Sequence, residues 1–296
     1  MKILAIGDFH GKLNSGFKKI IKDEKIDLII SIGDYLPFHY RKLWFKHCYG
    51  KEVELSEIIG KKKYKELVLE DLRRGEVLLK KLNDLSIPVF TVLGNVDWGA
   101  SDDISDKSKK RKKFMPNYDK KESFTKRLKK YKNIKRFDYK ALKFGDYIFV
   151  GMRGHSFPGD IKSKAFKKHQ KKLERLFEKY KKENKEGKLI FVSHNIAHNT
   201  KLDKISMKAV RNIEKSSGKK FSKKTLEKKR HYGSKLAKRI VAKYNPILHL
   251  GGHIHEGKGK DKVGKTLCIN PGEASKGEGT IINLEKGKIK SVKFVK

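Results

Sequence analysis

Short apolar runs of four or five residues punctuate the chain at 2–6, 28–32, 89–93, 189–193 and 247–250, each rich in Ile, Val and Leu. Runs of this length without polar alternation suit strands covered on both faces. Between them the apolar positions change to helical spacing. Phe17, Ile20 and Ile21 share a face, and Leu72, Leu78, Leu79 and Leu82 share another, with a break expected at Gly75. Ala165, Phe166, Leu173, Leu176, Phe177 and Tyr180 form a longer stripe, and Leu236, Ile240 and Val241 a shorter one. Strands alternating with helices predict a layered α/β fold. Two hairpins interrupt the alternation: 141–144 with 147–150 across Gly145-Asp146, and 281–284 with 289–295 around Gly287. Glycine-bearing hairpin loops favour antiparallel pairing, so the sheets are expected to be mixed.

Three segments resist this pattern: 35–69 is aromatic and basic with weak helical order, and 100–113 and 206–229 are Lys-rich. They read as basic surface insertions on one domain spanning 1–296. Charge adds a second layer. Lys plus Arg number 74 against 34 for Asp plus Glu, a formal +40, which attracts polyanions. Most of the cations are Lys, a solvated point charge rather than a base-reading fork. A dispersed ionic surface is therefore favoured over a dedicated nucleic-acid site, though nucleic acid stays open as a partner. Cys48 and Cys268 are too few for a disulfide framework. The opening stretch reaches Asp8 too soon for a signal-peptide core, and no apolar run approaches the ~20 residues of a membrane span. A cytoplasmic protein without a membrane partner is expected, its oligomeric state unspecified.

Candidate chemistry lies at the ends of the apolar runs. The first leads into Gly7-Asp8-Phe9-His10, the second into Gly33-Asp34, the third into Gly94-Asn95-Val96-Asp97, the fourth into Ser193-His194-Asn195 and the fifth into Gly251-Gly252-His253-Ile254-His255. In open α/β sheets the crevice beyond the carboxyl ends of the strands binds ligands. Two Asp, one Asn and four His would meet there. Seven ligands exceed the needs of one transition ion and suit two. Mixed imidazole and carboxylate ligands point to Mn, Fe, Zn, Co or Ni rather than Ca or Mg. Two ions ~3.5–4 Å apart form the clamp used in phosphoryl displacement.

These five ordered blocks resemble the calcineurin-like metallophosphoesterase superfamily: Asp-x-His, Gly-Asp, Gly-Asn, His, then Gly-His-x-His. The resemblance implies a four-layer α/β/β/α sandwich of two mixed β-sheets with helices outside. It implies that Asp8, His10 and His255 bind one metal, that Asn95, His194 and His253 bind the other, and that Asp34 bridges them. The implied cofactor is two divalent ions per chain, Mn2+ first, with Fe, Zn, Co or Ni as alternatives. The implied reaction is hydrolysis of a phosphate ester, a phosphodiester first, by in-line attack of a metal-bridging hydroxide. Asp34 and Asn95 are then catalytic as well as ligating. Many relatives have a His directly after the Asn, as general acid or hydrogen-bond donor; here Val96 stands there. His198 and His155 are the candidate substitutes. A narrower resemblance, carried by SHNIAHNTKLDK, HYGSKLAKRI, GGHIHEGKG and INPGEA, joins the C-terminal half to a mostly uncharacterised group of archaeal and bacterial predicted phosphoesterases.

Plainer roles stand beside these. A Gly-Asp is commonly a turn, and only the ordered set outweighs that for Asp8 and Asp34. Asp97 is expected to orient a neighbour or the loop, His231 to support a loop or cap a helix, and Arg153 to sit in a surface ion pair. Trp44 and Phe45 are expected in a small satellite core, and His169 and His249 in surface or packing roles. Two further functions compete with the phosphoesterase: a metal-dependent nuclease, drawn from the +40 charge, and a catalytically weak nucleic-acid- or protein-binding scaffold, drawn from Val96.

Overall fold

The computed structural model describes residues 1–48, 51, 53–97, 124–155, 159–217 and 222–296. The expected insertion at 100–113 lies outside them. The strands, in chain order, are β1 (Lys2–Ile6), β2 (Leu28–Ser31), β3 (Val89–Thr91), β4 (Ile134–Arg136), β5 (Ala141–Phe144), β6 (Tyr147–Met152), β7 (Leu189–Asn195), β8 (Leu248–Gly252), β9 (Gly259–Val263), β10 (Thr266–Asn270), β11 (Gly279–Glu285) and β12 (Lys288–Val295). The helices are α1 (Gly16–Glu24), α2 (Arg41–His47), α3 (Leu55–Ile59), α4 (Lys61–Asn83), α5 (Phe124–Leu128), α6 (Lys164–Lys179), α7 (Lys181–Lys185), α8 (Met207–Ser217), α9 (Lys223–Lys228) and α10 (Lys235–Tyr244).

Among the described residues two six-stranded sheets form, ordered β12-β11-β1-β2-β3-β4 and β5-β6-β7-β8-β10-β9. In the first, β1 to β4 run parallel while β11 and β12 are antiparallel additions. In the second, β6, β7, β8 and β10 run parallel, and antiparallel β5 and β9 close the edges. Strand periodicity then builds the layers. Ile3 and Ala5 of β1 face a central core shared with Phe149, Ile190, Val192 and Leu250 of the other sheet. Leu4 and Ile6 face the opposite way, onto Phe17, Leu72, Leu79 and Phe124 from α1, α4 and α5. The outer face of the second sheet meets Phe166, Leu173, Phe177, Leu236 and Ile240 from α6 and α10. Three apolar interfaces between four layers make the α/β/β/α sandwich. Burying each large side chain contributes about 1.5–3 kcal/mol.

Two local expectations are corrected. Gly75 does not break α4, which runs unbroken through it. A Cβ there would lie 2.4 Å from Leu36 and 3.1 Å from Phe124, so the residue is small to admit neighbours. The stretch 35–69 holds α2, α3 and the start of α4, and its Tyr35, Leu36, Tyr40, Leu55, Tyr64 and Val68 are buried in the outer core. Trp44 packs against that core, whereas Phe45 is exposed.

Candidate metal centre

Pairing between β1 and β2 continues past the strand ends. The amide of Asp8 donates to the Gly33 carbonyl at 2.9 Å, that of His10 to Asp34 at 3.0 Å and that of Gly11 to Tyr35 at 2.8 Å. The Asp-x-His and Gly-Asp loops are thus zipped side by side. The third loop closes on them more tightly than side chains would allow: a Cβ on Gly33 would fall 2.2 Å from the Gly94 nitrogen, and one on Gly94 would fall 1.9 Å from Asp34 Oδ1. Buried Asp97 clamps this junction. One of its oxygens accepts from the amides of Asp34 and Gly94, both at 2.8 Å, and the other from Tyr35 at 2.7 Å and Leu36 at 3.2 Å. Burial and then the nearby Asp34 push the Asp97 pKa up, and the amides oppose them.

The backbone at the rim is held in an uncommon state. Asp8 (φ 52°), His10 (φ 45°), Asp34 (φ 55°) and His253 (φ 73°) all lie in the left-handed region. Such conformations cost about 1–3 kcal/mol each and gather where function overrides local preference.

Two clusters of potential ligand atoms result, Asp8 with His10 and His255, and Asp34 with His194 and His253; within each, the atoms lie within 4.8 Å of one another. In the first, the Nε2 atoms of His10 and His255 are 3.1 Å apart and His255 Nε2 is 3.7 Å from Asp8 Oδ1. In the second, His194 Nε2 is 2.8 Å from Asn95 Oδ1, 3.2 Å from His253 Nδ1 and 3.5 Å from Asp34 Oδ2. The clusters adjoin. His194 acts electrostatically on Asp8, and Asp34 on His255.

Hydrogen-bond accounting tests whether cations fit. His194 Nδ1 lies 2.9 Å from the Ile32 carbonyl, which requires a proton there and leaves Nε2 of the neutral ring as a lone pair. That lone pair faces the Asn95 oxygen. His255 Nδ1 lies 3.2 Å from Glu273 Oε2, so in the neutral ring its Nε2 lone pair faces His10 and Asp8; burial lowers its pKa, but Asp8, Glu273 and Asp34 outweigh that and raise it, so the position draws positive charge. Asp8 Oδ2 accepts the His253 amide at 3.1 Å, but buried Asp8 Oδ1 has no hydrogen-bond partner among the described residues. Burial opposes ionisation of Asp8, yet His255, His194 and His10 outweigh it and hold the carboxyl far below the usual range. Burial, then His194, keeps His253 neutral by pushing its pKa well down. Lone pairs facing lone pairs beside an orphaned carboxylate oxygen are unfavourable alone and are resolved by divalent cations. The donor set fits two.

The other predicted residues lie nearby with different partners. His155 is buried, with Nε2 2.9 Å from Ser234 Oγ, while its backbone exchanges two hydrogen bonds with the Asn195 side chain. His198 is partly exposed, with Nδ1 3.4 Å from Asp203 and its ring beside His231. Val96 packs in the outer core and its amide donates to Asp34 Oδ1 at 3.1 Å. Arg153 is corrected from a surface ion pair to a buried side chain, its Nη2 donating to the Asp97 carbonyl at 3.2 Å. Buried His249 stacks on Phe191 and bonds Ser193 Oγ at 2.8 Å; burial lowers its pKa to about 3. Sequence reasoning missed Glu273, although it lies in the quoted INPGEA, and missed Asp203, whose signal was a lone acid among lysines.

Comparison with known proteins extends this picture. An uncharacterized protein of Methanocaldococcus jannaschii is 26% identical over 280 residues, covering 93% of this chain and 89% of its own. The crystal structure of TT1561 of Thermus thermophilus aligns over 99% of this chain and 97% of its own at 16% identity, with a TM-score of 0.52. A dimetal phosphatase from Danio rerio aligns over 100% and 96% at 10% identity, with a TM-score of 0.54. These two structures share the fold. The family of calcineurin-like phosphoesterases matches residues 1–257, which include every candidate ligand, and the chain belongs to that family.

Proposed function

We propose that the chain is a dinuclear metal-dependent phosphoesterase whose substrate is a phosphodiester. The observation that supports this most is the pair of adjoining clusters whose lone pairs face one another around the buried, unpartnered Asp8 Oδ1. Asp8, His10 and His255 would hold one ion, Asn95, His194 and His253 the other, with Asp34 shared. When bound, two divalent ions supply Lewis-acid charge for the ester oxygens and lower the pKa of the attacking water.

The protein's own contribution is preorganisation. Asp97 gathers four amides and fixes the loop that carries Asp34. The Ile32 carbonyl and Glu273 set the tautomers of His194 and His255, and such partners keep imidazole lone pairs directed at a metal. Val96 cannot donate a proton, so His198 and His155 are the proposed donors to the leaving group. With Mn2+ the protein should hydrolyse bis-p-nitrophenyl phosphate, and Asp34→Asn should lower kcat by about 10³-fold. Equal rates for the two proteins would contradict the proposal.

One observation favours nuclease action as a second reading. An open groove of about 430 Å3 around Tyr139 is lined by Lys140, Lys172, Arg175 and Lys179, with Arg136 paired to Asp138 beside them. Cleavage of a single-stranded oligonucleotide should then weaken steeply as salt rises, whereas an oligonucleotide left intact with Mn2+ removes this reading.

A further inference from the structure

Between the loop after β7 and helix α9 lies an open cavity of about 610 Å3, lined by Asn199, Lys223, Glu227, Lys228 and His231. Its volume falls within the ~300–1,000 Å3 of small-ligand sites. The acid in its wall is already engaged, Glu227 being 2.6 Å from Lys204 and 3.1 Å from Arg230. Among the described residues no carboxylate pairs with Lys223 or Lys228, so the wall is cationic.

The wall is also built. Asp203 is fully buried, and its two oxygens accept the amides of Asn199 and Thr200, both at 2.9 Å, and of Gly233 at 3.1 Å. His231 Nδ1 sits 2.7 Å from Asp203 Oδ1, which fixes the ring and leaves Nε2 on its far side. Burial disfavours the charged Asp203, but His198, His231 and the Thr200 amide prevail and hold its pKa at about 2. With Nδ1 held on the carboxylate, the ring presents its Nε2 edge beside Lys223 and Lys228, where it can hydrogen-bond an oxygen or hydroxyl of a bound anion. The cavity wall and the candidate metal centre share loops. His198 follows the ligand His194 by four residues and its amide donates to the Ser234 carbonyl at 3.0 Å, while the Ser206 amide reaches Glu256, next to His255, at 3.4 Å.

We propose that this cavity is a second anion subsite, in which His231, Lys223 and Lys228 take a second phosphate carried by the ester substrate. The inference rests on the phosphoesterase reading and narrows its substrate class to esters bearing a second phosphate. Two measurements test it. First, metal-stripped protein is titrated calorimetrically with inorganic phosphate at moderate salt. The wild type should bind one phosphate per chain. His231→Gln and the double variant Lys223→Ala/Lys228→Ala should each weaken binding at least tenfold, and a charge-matched pair on β12, Lys288→Ala/Lys290→Ala, should not. Equal binding by all four proteins overturns the subsite. Second, the Mn2+-loaded enzyme is given thymidine 5′-(p-nitrophenyl phosphate) with and without a 3′-phosphate. The phosphorylated ester should show about tenfold higher kcat/KM, and the ratio should fall toward one in the lysine double variant. Phosphate binding without that preference shows a site for the free anion and overturns the assignment to the substrate. Hydrolysis of neither ester defeats the phosphoesterase reading, while the titration still decides whether the anion site exists.

Discussion

Asp8 with His10 and His255, and Asp203 with His198 and His231, are built from the same residue types within one rim of the sandwich, yet their hydrogen bonding is opposite. Asp203 accepts three backbone amides and a His231 ring nitrogen across its two oxygens. Asp8 Oδ1 accepts no hydrogen bond among the described residues, and the ring nitrogens around it face each other at 3.1 Å. The first group lacks positive charge at its centre; the second has spent its negative charge internally and turns its outer faces to a cationic cavity. A carboxylate among imidazoles is therefore not a metal site by composition. What separates the two is how many acceptors remain without donors.

The comparison breaks most visibly under metal. Mn2+ at a hundred times its dissociation constant should stabilise the stripped protein by about 2.7 kcal/mol, read as a rise in Tm. Asp8→Ala should lose most of that increment, and Asp203→Ala should start lower but keep it. If Asp203→Ala loses the increment and Asp8→Ala keeps it, the two clusters have been assigned the wrong way round.

Acid tests the other side. The Asp203 pKa is depressed in the fold to about 2 from about 4 in an unfolded chain. Its contribution is complete above about pH 4 and is lost as pH falls through that value toward 2; the depression corresponds to about 2.5 kcal/mol. Urea unfolding of Asp203→Asn should show a stability lower by that amount at pH 6 and a shallower fall between pH 4 and 2. Parallel curves would show that Asp203 carries no such linkage. The smallest expected change belongs to Glu273, whose carboxylate sits 3.2 Å from His255 Nδ1. Glu273→Gln should weaken Mn2+ affinity about tenfold, measured by competition with a fluorescent chelator, and leave the acid curve alone.

Much of this rim could be read from sequence because glycine, carboxylate and imidazole follow directly on apolar runs, and a strand end is where an apolar run stops. The zipped β1 and β2 loops turn that linear rule into proximity. Other parts were not legible, for physical reasons. β4 is only Ile134–Arg136, with one buried residue in it, and β9 buries only Val263, so neither shows an apolar signature. Gly75 looked like a helix break because sequence does not reveal the approach of Leu36 and Phe124. Asp203 and His231 are 28 residues apart, and only the folded loops bring them together. The position after Asn95 seemed a lost donor; the fold shows Val96 turned into the outer core, where an apolar side chain belongs.

The most direct test of the central claim is an anomalous-scattering map from crystals grown with Mn2+. Two peaks per chain are predicted, one among Asp8, His10 and His255 and one among Asn95, His194 and His253, with Asp34 reaching both. A map with no peak there, or with peaks at the His198–Asp203–His231 cluster instead, would contradict it.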